Sequence, residues 1–353
     1  MAKAVARAGG HVTLIFSIHD DIDDPEAQGS RGAGFCLQQG AEATALIELL
    51  ADGGRADEVG TEDEPVFEIA VFDHDGSVAP IECLEPYLVL IEELQSSGKF
   101  SADGLRIGLE VVLELPRSQG FGMSAAGLLA AARALLAAAG SIGAAGGEGV
   151  SGTGNPISGD IDLGEFDLAS RLAHRVERKL SSGLGDVLAS SVGGVELRLE
   201  PGAPGSHGQA VGFNVALSLI LVWAATEGKH TRDYIDDADW KLRISAAGED
   251  AVSRLRQGGW NEDKWAELLL ESDIFAQTSG LYGEETRRRL LNKVEAAISS
   301  VGRTESHVAR LCMLGTSVAI LPISLESSQC EEELLSITVQ LEAFGLDYLR
   351  TNI

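Results

Sequence analysis

Apolar and polar side chains alternate with a period of two from Leu105 to Leu115 (LRIGLEVVLEL), the pattern of a half-buried strand. From Ala125 to Ala139 the chain is almost wholly Ala and Leu, the strongest helix formers. Between them lie Pro116, which ends a sheet ladder, then Gly120 and Gly122, which tolerate tight turns. The same reading along the chain predicts strands at 4–18, broken by Gly9-Gly10 and resumed at His11, and at 42–50, 65–73 and 215–225. Helices are predicted at 81–94, interrupted or started by Pro86, and at 167–180, 237–257, 262–280 and 284–300. The 331–343 segment carries a strand-like run, Leu335–Leu341. Residues 140–160 are rich in Gly, Ser, Asn and Pro and read as a flexible surface insertion without chemistry. The succession of strands and helices is that of an α+β chain.

Composition narrows the classes. A chain of 353 residues with 44% hydrophobic content can bury two cores, so two domains are expected, with a break in the polar stretch 206–212. The net charge of −27 argues against nucleic acid or an anionic membrane as partner. The longest apolar run near the middle, 215–225, is too short to cross a bilayer, which needs ~20 residues, and no secretory leader is visible, so a soluble cytoplasmic protein is expected. The four cysteines, Cys36, Cys83, Cys312 and Cys330, are widely spaced and read as free thiols. Seven lysines against twenty arginines, with acidic residues spread throughout, fit either solubility at elevated salt or an arginine-rich genome. An anionic substrate must then be held by a few local cations and amide dipoles.

The candidate chemistry centres on 115–127. Strand, glycine turn and helix start gather unpaired amides and the positive end of a helix dipole at one point, a cradle for phosphate. The segment lacks the Gly-Lys-Ser/Thr of a Walker loop and the third glycine of a dinucleotide fingerprint. On the predicted helix 167–180, the side chains of His174 and Glu177 project together. The Gly183-Leu184-Gly185-Asp186 turn delivers a carboxylate to the next helix, where it is either a cap or a functional acid. Ser30 and Arg31 sit among glycines, where Arg31 either forks onto a carboxylate or is solvated. Arg198 is either a carboxylate clamp or an exposed strand residue.

These segments resemble the GHMP kinases, and the archaeal pantoate kinases in particular. Pro116, Gly120, Gly122, Met123, Ser124 and Ala125 follow the second GHMP motif, with Met123 in place of the first serine. Ala8-Gly9-Gly10-His11-Val12-Thr13 is similar to the first motif, with Gly9 for proline loosening the turn, and Cys312-Met313-Leu314-Gly315-Thr316-Ser317 stands at the third. The resemblance implies an ATP-binding domain over 1–205, ribosomal-protein-like and carrying the 140–160 insertion, and a ferredoxin-like domain over 206–353. It implies ATP and Mg²⁺ as cofactors and pantoate as acceptor, in archaeal coenzyme A synthesis, and it suggests a homodimer. In its site Pro116, Gly120, Phe121, Gly122, Met123, Ser124, Ala125, Ala126 and Gly127 would hold ATP, and Ser124 and Glu177 the metal. Asp186 would be catalytic, and His11, Ser30, Arg31, His174 and Arg198 would bind substrate. A kinase for another hydroxyl acceptor, such as homoserine, mevalonate or a sugar, and a non-catalytic sensor remain as alternatives.

Overall fold

Two long strands form the spine of the molecule, β1 (Ala2–Phe16) and β2 (Gly32–Leu49), paired antiparallel along most of their length. The chain is described by a computed structural model over residues 1–50, 65–98, 101–145, 163–224, 234, 237–325 and 331–353. One end of β2 pairs with β4 (Leu105–Leu113), and the other with β5 (Val195–Glu200). β3 (Val66–Phe72) runs parallel to β4, and β6 (Gln209–Phe213) closes the far edge on β5. The polar stretch 206–212 thus contains most of a strand of this six-stranded sheet. Exposure along β4 alternates from Ile107 to Leu113, as the period-two pattern requires.

Against the sheet packs α2 (Met123–Ala145), in contact with β1, β2 and β4. Residues 125–135 of α2 are buried apart from the partly buried Arg133, and Gly127 is packed against Tyr87. A helix buried on all sides is apolar all round, and alanine keeps it thin enough to sit between layers. Its Met123–Ser141 stretch is long and apolar enough to cross a membrane, yet 72% of the tested window is buried inside the protein, as expected of a core helix. The predicted 140–160 insertion begins within α2, and its remainder from 146 lies outside the described residues. The 81–94 helix starts as a 3₁₀ turn, with α1 (Glu85–Ser96) placing Pro86 in its first turn, where no hydrogen bond is lost. α3 (Leu163–Lys179) and the short α4 (Asp186–Val192) complete this half.

A second, antiparallel sheet of order β10-β7-β9-β8 comprises β7 (Ser218–Trp223), β8 (His307–Cys312), β9 (Ser317–Pro322) and β10 (Asp347–Asn352). α5 (Ala238–Leu255) packs on β1, β2 and α6 (Trp265–Thr278), and α6, α7 (Glu285–Ser300) and α8 (Glu331–Ala343) lie against this second sheet, α5 to α7 being close to the predicted spans. The strand-like run 335–341 is corrected to helix. Leu334, Ile337, Thr338 and Leu341 are its buried residues, a spacing of three, four and seven that only a helix presents on one side. β8, β9 and β10 carry no sequence signal read above.

A second correction concerns Gly9 and Gly10. They form no turn but lie in β1 at a bulge between Gly9 and His11. A Cβ on Gly9 would lie 2.3 Å from the Leu37 carbonyl oxygen, and one on Gly10 would lie 2.8 Å from Met123 Cε. Met123, the departure in the second motif, thus packs against Gly10, the residue after the Gly9 departure in the first, and fills space that Gly10 leaves. Cys36, Cys83 and Cys312, the described cysteines, are free.

The tight fit of α2 makes it the place to test the core. Ala131→Leu should destabilise the protein by about 1–3 kcal/mol through overpacking, read as a lower denaturant midpoint with unchanged slope. An unchanged midpoint would mean that the layers around α2 can yield.

Candidate active site

The turn between β4 and α2 is built from strained backbone. Gly120 and Gly122 have φ of 75° and 66°, and Ser118 has a φ of 59° that L-residues rarely adopt. A Cβ at Gly120 would meet the Met313 carbonyl oxygen at 2.8 Å. The 312–317 turn lies directly behind: Ser317 donates its hydroxyl to the Gln119 carbonyl oxygen, and Met313 N–H donates to Thr13 O at 2.9 Å. On the other side His11 N–H donates to Phe121 O at 3.0 Å. The loop is thus gripped between β1 and the β8–β9 turn. The first ladder bond after it is Ala126 N–H to Gly122 O at 3.0 Å, so the amides before Ala126 belong to the unpaired helix start.

A cavity of about 600 Å³ opens over this turn. It is lined by the 116–124 loop, by Glu177 and the 180–186 turn, by Thr13 and Ser30, and by Met313 and Leu314. Its apolar end is formed by Val71, Cys83, Pro86, Tyr87, Leu113 and Leu128. Arg117 grips Asp73 through both carboxylate oxygens, at 2.6 and 2.9 Å, and steadies that end; sequence reading assigned it no role. Among the described residues, the three non-glycine residues with positive φ are Ser118, Ser181 and Leu314, and all three line this cavity. Backbone strain gathers where function over-determines the chain.

The cavity brings Pro116, Gly120, Phe121, Gly122, Met123 and Ser124 together with Glu177, Asp186 and Ser30. Ala125, Ala126 and Gly127 are absent from its lining and lie behind it, Gly127 against the Tyr87 hydroxyl. Glu177 and Asp186 line the cavity beside the glycine loop, and Glu82 is a third acid in its lining. Burial, then the neighbouring Asp186 charge, push the Glu177 carboxyl up to about 8, against a hydrogen bond from Ser124 and the Arg178 charge. Its Oε1 is buried without a partner. Asp186 goes the other way. Burial pushes it up, but the hydrogen bond and charge of His11, the charge of Arg198 and the Thr13 hydroxyl outweigh that and hold it below the usual carboxylate range. Thr13 was not foreseen from the sequence. Its signal was adjacency to His11 in the same strand.

The other predicted residues are placed differently. His11 is buried and absent from the cavity lining, with Nδ1 2.6 Å from Asp186 Oδ1 and Nε2 3.0 Å from Glu196 Oε1. Arg198 is no exposed strand residue. It is wholly buried behind Ser30 and Gly185, with Nε and Nη1 lacking hydrogen-bond partners; a Cβ on Gly185 would lie 2.2 Å from Ser30 Oγ and 3.0 Å from Arg198 Nε. Arg31 is not brought to the cavity. Its donors go to Leu199 O at 2.9 Å, Glu249 at 3.0 Å and Glu200 at 2.6 Å, tying β2 to β5 and α5. His174 diverges from Glu177, with Nε2 at 2.9 Å from Gln28 O and 3.1 Å from Pro25 O, a neutral strut under the 20–28 loop whose pKa burial pushes down to about 4.

No protein-family model matches the chain. Among solved structures, a phosphotransferase related to the coenzyme A biosynthesis pathway superposes over 100% of this chain and 96% of its own, with TM-score 0.69 and 23% identity. A Leishmania major mevalonate kinase, solved with R-mevalonate, covers 100% and 96% with TM-score 0.60 and 13% identity. This is the GHMP kinase fold. Among relatives, a pantoate kinase of Methanospirillum hungatei is 29% identical over 293 residues, 81% of this chain and 79% of its own. A pantoate kinase of Thermococcus kodakarensis is 26% identical over 330 residues, 92% and 89% of the two chains. The chain thus resembles the pantoate kinases over most of its length.

The GHMP loop in this chain depends on Gly120 for both conformation and clearance. Gly120→Ala should lower stability by about 1–3 kcal/mol, measured by denaturant unfolding, because the loop or the Met313 turn must shift. Wild-type stability in this variant would show the grip on the loop to be loose.

Proposed function

We propose that this chain is a pantoate kinase, transferring the γ-phosphoryl group of ATP to a hydroxyl of pantoate to give ADP and 4-phosphopantoate, for coenzyme A synthesis. The observation that carries the reading is one cavity lined at once by the glycine turn, Glu177, Asp186 and Ser30, in a chain resembling pantoate kinases over four-fifths or more of its length. The 1–205 half supplies the nucleotide cradle, and the 206–353 half backs it through the 312–317 turn.

The residues suit the reaction. The amides of the turn and the start of α2 face the phosphates of ATP, and the apolar end takes the base. Among the described residues no cluster of three His, Cys, Asp or Glu could cage a metal ion. That fits Mg²⁺, which takes one or two protein oxygens and completes its shell with phosphate and water. Glu177, with its unpartnered Oε1, and Ser124 would hold it. Bound there, Mg²⁺ supplies charge to the phosphate oxygens.

Ser30 would receive the acceptor, with the Arg198 charge immediately behind it for the carboxylate. Asp186 takes a hydrogen bond from the acceptor hydroxyl, aims its oxygen at the γ-phosphorus and receives its proton as the new P–O bond forms and ADP leaves. A carboxylate held below its ordinary range is a weak base, so its work is orientation and late proton acceptance. The loose transition state of phosphoryl transfer asks little more.

ADP release with ATP and Mg²⁺ should be seen with pantoate and not with homoserine, mevalonate, galactose or pantothenate; turnover of another acceptor would overturn the assignment. Asp186→Asn should lower kcat by ~10²–10⁴-fold while leaving ATP affinity unchanged. Equal losses in ATP binding would move Asp186 to the phosphate site. Glu177→Gln should raise the Mg²⁺ concentration for half-maximal rate by about tenfold or more, the equivalent of one charge-assisted contact. Titration of the rate with Mg²⁺ checks this, and an unchanged midpoint would exclude Glu177 as a ligand.

A further inference from the structure

Two buried side chains join Asp186 to Arg198 without lining the cavity, His11 and Glu196. Asp186 Oδ1 lies 2.6 Å from His11 Nδ1, Glu196 Oε1 lies 3.0 Å from His11 Nε2, and the same Glu196 oxygen lies 3.5 Å from Arg198 Nη1. Four alternating charges therefore run in one line, from the group that orients the hydroxyl to the cation behind Ser30. A neutral imidazole has one N–H and one lone pair, so it satisfies only one of two flanking carboxylates. Both are satisfied only when the ring carries two protons.

We propose that Glu196 is a positioning residue for phosphoryl transfer, holding His11 doubly protonated against Asp186 and at the same time fixing Arg198, so that the hydroxyl-orienting and carboxylate-binding ends of the acceptor site are kept in register. The inference rests on the pantoate kinase reading for its consequence in turnover, but not for the charge on His11. Glu196 is wholly buried on β5. A lone carboxylate there would be costly, and its two cationic neighbours explain its presence. Among the described residues the other neighbours of His11 are uncharged, and Arg198 stands beyond Glu196, on the same carboxylate oxygen. β1 presents the Thr13 hydroxyl at 3.4 Å, and β2 presents Gly34 and, paired opposite, Cys36, whose thiol burial pushes up and keeps neutral. The loop before α2 presents Gly122 backbone, leaving Glu196 and Asp186 as the charged contacts. Burial works against a charge on His11, yet the hydrogen bonds and charges of those two acids raise its proton affinity above that of an ordinary imidazole. With a raised value, the charge persists to higher pH than on an ordinary imidazole and is lost as pH rises through that value.

The test uses the full-length protein with ¹⁵N-labelled histidine, the His11 signals being assigned by their loss in His11→Gln. In the wild type both ring nitrogens should remain protonated to a pH above ~6.5, the usual histidine value. The rate with pantoate should fall on the alkaline side as His11 titrates. Glu196→Gln should shift both the titration and the alkaline limb to lower pH by about one unit or more, a tenfold change in proton affinity. It should lower kcat, raise KM for pantoate and leave KM for ATP unchanged, and Glu196→Asp should restore the alkaline limb. A neutral His11 at pH 7 in the wild type overturns the proposal without any variant. So does a Glu196→Gln protein that still binds ATP but keeps both the wild-type titration and the wild-type limb. Absence of turnover with pantoate would defeat the functional reading, while the histidine titration still decides the role of Glu196.

Discussion

Glu177 and Asp186 face one cavity in a chain of net charge −27, and their mutual repulsion shapes what surrounds them. Two neighbouring carboxylates, Glu177 buried and Asp186 partly buried, cannot both ionise freely at short range without compensation. The protein resolves this unequally. Asp186 is given His11, the Arg198 charge and Thr13, and stays ionised. Glu177 is given the weaker help of Ser124 and Arg178, and is pushed up to about 8. One acid is thus permanently charged by protein groups, while the other is left with an unpartnered oxygen and a reason to bind a cation. The proposed division of labour between acceptor and metal would follow from where the cations are placed.

Much of this was legible in the sequence. The 115–127 stretch announced itself because strand, turn and helix signals abut there, and the observed β4, turn and α2 follow it closely. Helices α5 to α7 followed from their apolar period and polar ends. Strands β8, β9 and β10 were missed because each has six residues, β9 is buried throughout and so shows no alternation, and β10 carries polar residues over most of its length. The 331–343 helix looked locally strand-like because Ile337, Thr338 and Val339 are β-branched, and tertiary burial of every third or fourth residue decided otherwise.

The site was harder where a residue's role depends on distant partners. Arg31 among glycines looks available to a ligand, but Glu200 and Glu249 occupy its guanidinium, and no local spacing reveals acids so far along the chain. His174 and Glu177 do lie on one helix three residues apart, yet one turns to the carbonyls of Pro25 and Gln28 and the other to the cavity. Met123 was legible as a motif departure, but its partner was not: only packing shows that Gly10 and Met123 share one space.

The strained loop and the charge line answer the same need. Phosphoryl transfer in a loose transition state gains little from covalent help and much from position, so small displacements are expensive. Ser118, Ser181 and Leu314 hold unfavourable backbone angles on three separate sides of the cavity, each fixed by turns that the rest of the fold over-determines. His11 belongs to both devices. Its N–H holds the glycine loop through Phe121 O, and its ring holds Asp186. A shift of β1 at the Gly9 bulge would therefore move the glycine loop and Asp186 together, so that in the proposed reaction errors in placing donor relative to acceptor are suppressed by a single strand.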